Sequence, residues 1–286
     1  MPRYAVALQD RPRRGQRTLA AWLAAVFLAA CAPDGAPTPA ADAAAQPPAS
    51  DGNAAGARSA TSQGGGGTTD GVFRIVPQRP VAELRAAALG ASPPDEAGPI
   101  RGVDLVEVRA LDPTIRYDIR YATDRNFMGE PFYTSAHAYL QRDAARALVR
   151  VHRALAGRGY GILVHDAYRP WHVTKMFWDA TPPDLRAFVA NPADGSRHNR
   201  GAAADVTLYR LEDGEPVEMP SGYDEFTERA AADYPGGTEA QRRHRRMLRE
   251  AMEAEGFAVL PEEWWHFDYR DWREYPILDL TFEEIR

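Results

Sequence analysis

A single cysteine, Cys31, stands in a chain of 286 residues. No disulfide can form within one chain, so the fold must rest on an apolar core and on any metal it binds. Long hydrophobic runs are also missing: Leu19 to Ala30 falls well short of the roughly 20 apolar residues that a membrane-spanning helix needs. Positive charge is in deficit, with a formal net charge of −6. Without the first 30 residues, which hold five arginines and one aspartate, 29 basic groups face 39 acidic ones, about −10 net. The run Arg242, Arg243, His244, Arg245 and Arg246 alternates with acidic residues in the same expected helix and reads as a solvated face. An acidic chain of this kind is not expected to take nucleic acid as a partner.

What is present begins with an export signal. Arg3, Arg11, Arg13, Arg14 and Arg17 form a basic region, the apolar stretch follows, and small residues precede Cys31. Leu28-Ala29-Ala30-Cys31 resembles a bacterial lipoprotein cleavage box, which implies that Cys31 is the lipidated first residue of an exported chain. The protein is then expected on a membrane through that anchor, facing the periplasm or cell envelope. From Ala32 to about Asp70 the composition is Ala, Pro, Gly, Ser and Thr, too poor in apolar surface to order itself. Such a tether would reach on the order of 35 Å. The expected organisation is therefore a signal over 1–31, a linker over 32–71 and one catalytic domain over 72–286.

Within that domain the patterning is mixed. Val81 to Leu89 suits a short helix, and Val103 to Arg109 and Ile115 to Ile119 alternate as strands do. Leu140 to Leu155 places Leu140, Ala144, Leu148, Val151 and Leu155 on one helical face, with Gly157 and Gly159 beyond its end. Tyr160 to Val164 reads as a buried strand, and Trp171 to Trp178 and Asp184 to Ala190 as short helices. Asp213-Gly214 suggests a hairpin turn joining two strands. Thr238 and Gln241 form a capping box for a helix that runs to Glu255. Phe257 to Leu260 and Trp264 to Tyr269 complete the strands. The expected class is α+β, a small, mostly antiparallel sheet with helices against one face.

Chemistry concentrates in two stretches. Ser196-Arg-His-Asn-Arg-Gly-Ala-Ala-Ala-Asp-Val-Thr-Leu208 places His198 and Asp205 seven residues apart, at a loop and on the strand after it. A carboxylate set among residues that belong in a core must be paired or metal-bound. Glu262-Glu263-Trp264-Trp265-His266-Phe267-Asp268 adds a second imidazole and a carboxylate three residues before it. A catalytic zinc takes three protein ligands and leaves a position for water, whose pKa it lowers towards neutrality. A carboxylate off the metal must then move the water's proton. His198, Asp205 and His266 are the candidate ligands of one zinc ion per chain, and Glu263 is the candidate base. In an extended run Glu263 would point away from His266, so it is expected just before the strand, with the tryptophans walling the site. His137, His152 and His244 read as ordinary helix or near-helix residues.

Ser-x-His-x-x-Gly-x-Ala-x-Asp followed by Glu-x-x-His resembles the zinc D,D-peptidases, in particular the D-alanyl-D-alanine dipeptidases. Asp118-Ile-Arg-Tyr-Ala-Thr123 with Asn126, Phe127 and Gly129, Asp166-Ala-Tyr-Arg-Pro170 and the Glu-x-Trp-Trp-His cluster match that branch, over roughly Val103 to Arg286. The resemblance implies the hedgehog/D,D-peptidase-like fold, and Arg169 as the group that stabilises the oxyanion of the attacked carbonyl. It implies Ser196 at the substrate carboxylate and Asp224 at the free ammonium. The substrate class implied is a small D,D-dipeptide or a wall-derived peptide. Two alternatives remain open at this point: a D,D-carboxypeptidase or endopeptidase acting on whole stem peptides with the same ligands, and a wall-binding lipoprotein that keeps zinc without catalysis.

Overall fold

The computed structural model describes residues 66–69, 71–97 and 100–285. The expected export segment, Cys31 and the expected linker up to residue 65 lie outside them. The described residues include a strand before residue 72. Strand β1 (Gly66–Thr69) pairs antiparallel with β2 (Val72–Ile75), and Gly71 takes the positive φ that the tight reversal requires. Phe73 and Ile75 are buried in the core, which is what holds this hairpin in place. Helix α1 (Val81–Leu89) buries Leu84 and Ala88, as its pattern suggests.

Strand β3 (Leu105–Glu107) is shorter than the alternation predicts. The chain turns instead into α2 (Val108–Leu111), because the Glu107 carboxylate accepts the Ala110 N–H at 2.9 Å and caps a helical turn. The next strand, β4 (Arg116–Tyr117), is only two residues long, and β5 (Tyr139–Gln141) pairs with β3 and takes Leu140 out of the expected helix. Helix α3 (Arg142–Ala156) then buries Ala144, Leu148, Val151 and Leu155 at the spacing foreseen. After β6 (Tyr160–Asp166) comes α4 (Trp171–Ala180). Where a helix over Asp184 to Ala190 is expected, the chain forms a 3-10 helix over Pro183–Phe188. Pro182 and Pro183 stand at its N-cap and first position, where the missing N–H groups would have no intrahelical partner in any case.

Strand β7 (Ala203–Arg210) is followed by a turn at Asp213-Gly214, where Tyr209 bridges Pro216 alone. Proline has no N–H with which to extend a ladder, so the second strand of that hairpin does not form. Helix α5 (Glu239–Ala254) opens on the expected capping box: the Thr238 Oγ1 accepts the Gln241 N–H at 3.2 Å, and the Gln241 Oε1 accepts the Thr238 N–H at 2.8 Å. Strands β8 (Phe257–Leu260) and β9 (Glu263–Tyr269) close the fold.

Five strands form the main sheet in the order β4-β6-β7-β9-β8, with β4 parallel to β6 and every other pair antiparallel. Facing residues share a side of a sheet, so the pairs Ile162↔Leu208, Val164↔Val206 and Ala204↔Phe267 lie on one face. All six are fully buried, and they join the inner sides of α3 and α5 in one hydrophobic cluster. The opposite face carries the polar residues. This is an α+β architecture with a mostly antiparallel sheet. Among the described residues no helix is long and apolar enough to cross a membrane.

Candidate metal centre

Asp205 sits on β7 directly opposite His266 on β9, on the polar face of the sheet. His198 opens a 3-10 turn (His198–Arg200) that ends at Gly201, whose φ of 63° reverses the chain into β7. Any side chain at Gly201 would strike Leu105 as well as strain the backbone. The loop therefore returns His198 above the start of its own strand. His198 Nε2 lies 3.0 Å from His266 Nδ1 and 3.2 Å from Asp205 Oδ1, and His266 Nδ1 lies 3.0 Å from the same oxygen. The three residues are 2 %, 2 % and 5 % exposed. Among the described residues they form the single group of metal-ligand type whose donors converge in this way.

Each of these donors is aimed by a partner on its far side. His198 Nδ1 faces the Ala167 carbonyl at 2.6 Å, His266 Nε2 faces Asp268 Oδ1 at 2.8 Å, and Asp205 Oδ2 accepts the Tyr223 hydroxyl at 2.8 Å. Outer contacts of this kind are how metal-binding imidazoles and carboxylates are held in one orientation. Ligands about 2.0–2.2 Å from a tetrahedral zinc stand roughly 3.3–3.6 Å apart, within a few tenths of an ångström of the triangle seen here. Further carboxylate surrounds the three donors. Four carboxylates, Asp166, Asp205, Asp224 and Glu263, are packed around one buried arginine, Arg169. Burial favours a raised Asp205 pKa, yet His198 and His266 beside it hold the group well below the usual carboxylate range. Burial alone would lower His266, but hydrogen bonds to Asp205 and Asp268 push it up to about 10. A metal at this point competes with that proton, so its affinity must weaken in acid.

Glu263 is the first residue of β9 rather than part of the connection before it, which corrects the expected placement. It still reaches the site, with Oε2 3.8 Å from His266 Nδ1. Between the pairs Val259↔Phe267 and Leu260↔Glu263, β9 carries three residues that β8 does not match, and this break in register suspends the simple alternation. Glu263 keeps 16 % of its side chain exposed. Burial, aided by the negative charge of Asp205, raises its carboxyl to about 7 against the opposing pull of His266. A carboxyl near neutrality is suited to passing a proton in either direction.

Arg169 comes from the loop after β6. Its Nε and Nη2 both donate to Asp166 Oδ2, at 2.9 and 2.8 Å, and its Nη2 lies 3.9 Å from Asp205. Asp166 stands in the motif quoted from the sequence but was given no role there. It reaches the polar face through a bulge: Val164 pairs with Val206, but Asp166 pairs with Asp205, so His165 is an extra residue that turns Asp166 over. The Tyr133 hydroxyl donates to its other oxygen at 2.7 Å.

The remaining candidates line the same cavity, about 220 Å³ in volume. The Ser196 Oγ accepts the His198 N–H at 3.2 Å, which leaves its own hydrogen available. Asp224 has φ 54°, the one positive φ outside glycine among the described residues, and accepts the Tyr121 hydroxyl at 2.8 Å. A residue held in that region against its preference is a mark of a functional position. Burial, with Asp205 nearby, pushes its carboxyl well up. Trp264 and Trp265, expected as walls, stand behind the site instead. Trp264 donates to Ser221 and Trp265 packs on Tyr223, while Phe127, Phe177, Phe188 and Phe226 line the cavity. The outer residues Tyr121, Tyr133, Tyr223 and Asp268 were given no role in the sequence reading, because each is recruited from a different element by contact alone. The signal open to it was the Asp166-to-Arg169 spacing at the end of a strand.

Comparison with known proteins identifies the family. A family model described as D-Ala-D-Ala dipeptidase matches residues 101–284. The D-alanyl-D-alanine dipeptidase of Escherichia coli K12 is 34% identical over 179 residues, covering 63% of this chain and 91% of that protein. The protein of the same name from Enterococcus faecium is 37% identical over 185 residues, covering 57% of this chain and 89% of its own. Among solved structures, a vancomycin-resistance D,D-dipeptidase in complex with a D-Ala-D-Ala phosphinate analogue matches 62% of this chain and 59% of that one, at 18% identity and a TM-score of 0.36.

Proposed function

This chain belongs to the D-Ala-D-Ala dipeptidase family of metallopeptidases, and from that premise we propose that it cleaves the free dipeptide D-Ala-D-Ala with one zinc ion held by His198, Asp205 and His266. The observation that carries the reading is the convergence of those three donors, Glu263 and Arg169 on one cavity of about 220 Å³. That volume is below the ~300–1,000 Å³ of sites for drug-sized ligands, which suits a ligand as small as a dipeptide.

When bound, zinc would supply a water of near-neutral pKa and would polarise the peptide carbonyl. Glu263 takes the proton of that water as its oxygen adds to the carbonyl carbon. The oxyanion that develops is met by the Arg169 guanidinium, which Asp166 keeps in place. Glu263 then returns the proton to the amide nitrogen, the C–N bond breaks, and two alanines leave. Asp224 takes the free ammonium and the Ser196 hydroxyl donates towards the far carboxylate. The phenylalanines around the cavity exclude bulk water, which strengthens each of these charge interactions.

The test is hydrolysis of D-Ala-D-Ala beside L-Ala-L-Ala and a wall pentapeptide by the zinc-loaded chain, with Glu263→Ala as control. Cleavage of the D,D-dipeptide alone, reduced about 10²–10⁴-fold in the variant, is expected. Cleavage of the pentapeptide alone would move the protein to the carboxypeptidase reading, and zinc binding without cleavage would leave a wall-binding protein. Export and lipid anchoring at Cys31 complete the proposal and put the work on released wall peptides or the recovery of D-alanine. Activity found wholly in the cytosol on cell fractionation would overturn that part.

A further inference from the structure

The cavity is lined by the carboxylates of Asp205, Asp224, Glu262 and Glu263, and by two arginines, Arg169 and Arg197. A dipeptide is a zwitterion, so its carboxylate must find positive charge in a cavity dominated by the opposite sign. Arg169 has Nε and Nη2 on Asp166, and its remaining donors are assigned to the oxyanion in the reaction proposed above. Arg197 is not so engaged. Its Nε is buried without a hydrogen bond, although Asp268 Oδ2 lies 3.2 Å away, and its side chain keeps 37% of its surface exposed. Neither terminal nitrogen makes a hydrogen bond among the described residues.

The group is nevertheless held. Its guanidinium lies 4.9 Å from the centre of the Trp272 ring, and the Asp268 beside it has its other oxygen on His266 Nε2 at 2.8 Å. Arg197 also sits between Ser196, whose hydroxyl hydrogen is free, and the ligand His198. A guanidinium stacked on an aromatic ring, with unused terminal donors and on a residue that lines the cavity, is suited to bidentate capture of a carboxylate.

Resting on the dipeptidase reading above, we infer that Arg197 binds the free C-terminal carboxylate of the substrate and makes this enzyme select free-acid over blocked C-termini. Asp268 keeps the arginine from swinging into solvent while leaving its two terminal nitrogens for the ligand. The same selection would hold for a stem peptide with a free C-terminus.

Two measurements test this on the whole chain: steady-state kinetics, and calorimetric binding in a Glu263→Gln background, each with D-Ala-D-Ala and D-Ala-D-Ala amide. The wild type should prefer the free acid. In Arg197→Gln, KM and the dissociation constant for the free acid should rise ten-fold or more, those for the amide should hardly change, and zinc content should stay at one per chain. Arg197→Lys should recover part of the preference. Equal losses for acid and amide, or loss of zinc, would reduce Arg197 to a support for Asp268 and overturn the inference. Unchanged discrimination would overturn it as well. A wild type that neither binds nor cleaves the free acid would instead sink the dipeptidase reading, and this inference with it.

Discussion

On one face of β7, Ala204, Val206 and Leu208 are packed with no polar neighbour to satisfy. One residue away on the other face, Asp205 lies among two imidazoles, an arginine and a tyrosine hydroxyl. The two faces draw on different physics. The apolar face is held by area removed from water, which is additive and forgiving of volume-conserving change. The polar face gathers like charges at a cost, and is tolerable only if every donor has its partner and a cation sits among the carboxylates. A strand that serves both must separate stability from function at intervals of one residue.

The comparison breaks most sharply at Asp205. Asp205→Asn should reduce bound metal from one per chain towards none and lower activity more than about 1,000-fold, while circular dichroism shows the apolar half still folded. Retained zinc at full stoichiometry would remove Asp205 from the ligand set. From the other side, Leu148→Ala in α3 should cost about 2–5 kcal/mol in denaturant unfolding and leave zinc content and kcat per folded chain unchanged. A fall in kcat there would mean that the faces are not independent.

His165, the extra residue of the bulge that divides the faces, sharpens the contrast through pH. Burial, with Arg120 nearby, depresses its pKa to about 4 in spite of Asp118. The folded value lies below the unfolded one, near 6.5, so stability is complete above that pH and falls as the medium is acidified towards 4. The loss approaches roughly 3 kcal/mol. Unfolding of His165→Gln should show a flatter slope between pH 6.5 and 4 than the wild type, and an identical slope would assign the acid loss to other groups. The smallest effect is expected at Tyr223→Phe, which removes only the outer hydrogen bond to Asp205. Metal affinity measured against a chelator should fall about 10–100-fold, with little change in unfolding at neutral pH.

How much could be read in advance differs between the same two faces. The inner side of α3, the capping box of α5 and, as candidates, the pairs His198–Asp205 and Glu263–His266 were all legible, because each rests on spacing within one short stretch. The strand expected to Arg109 was not, since Glu107 caps a helical turn at its end. The helix expected over Asp184 to Ala190 likewise forms as a 3-10 helix over Pro183–Phe188. Asp166 and Arg197 were passed over for another reason. Their roles depend on a bulge, and on a neighbour 71 positions away, that no local pattern encodes.

The sequence by itself offered a nitrogen-and-oxygen donor set with a spare carboxylate, on a chain too acidic to expect nucleic acid as a partner and with one cysteine, too few for an internal disulfide. Only the tertiary structure decided which atoms of those residues converge, that Glu263 reaches the site from within a strand, and which outer groups hold each donor in place. Residue types and their local periods are written along the chain, whereas distances of about 3 Å between residues more than sixty positions apart arise when strands pair and loops close.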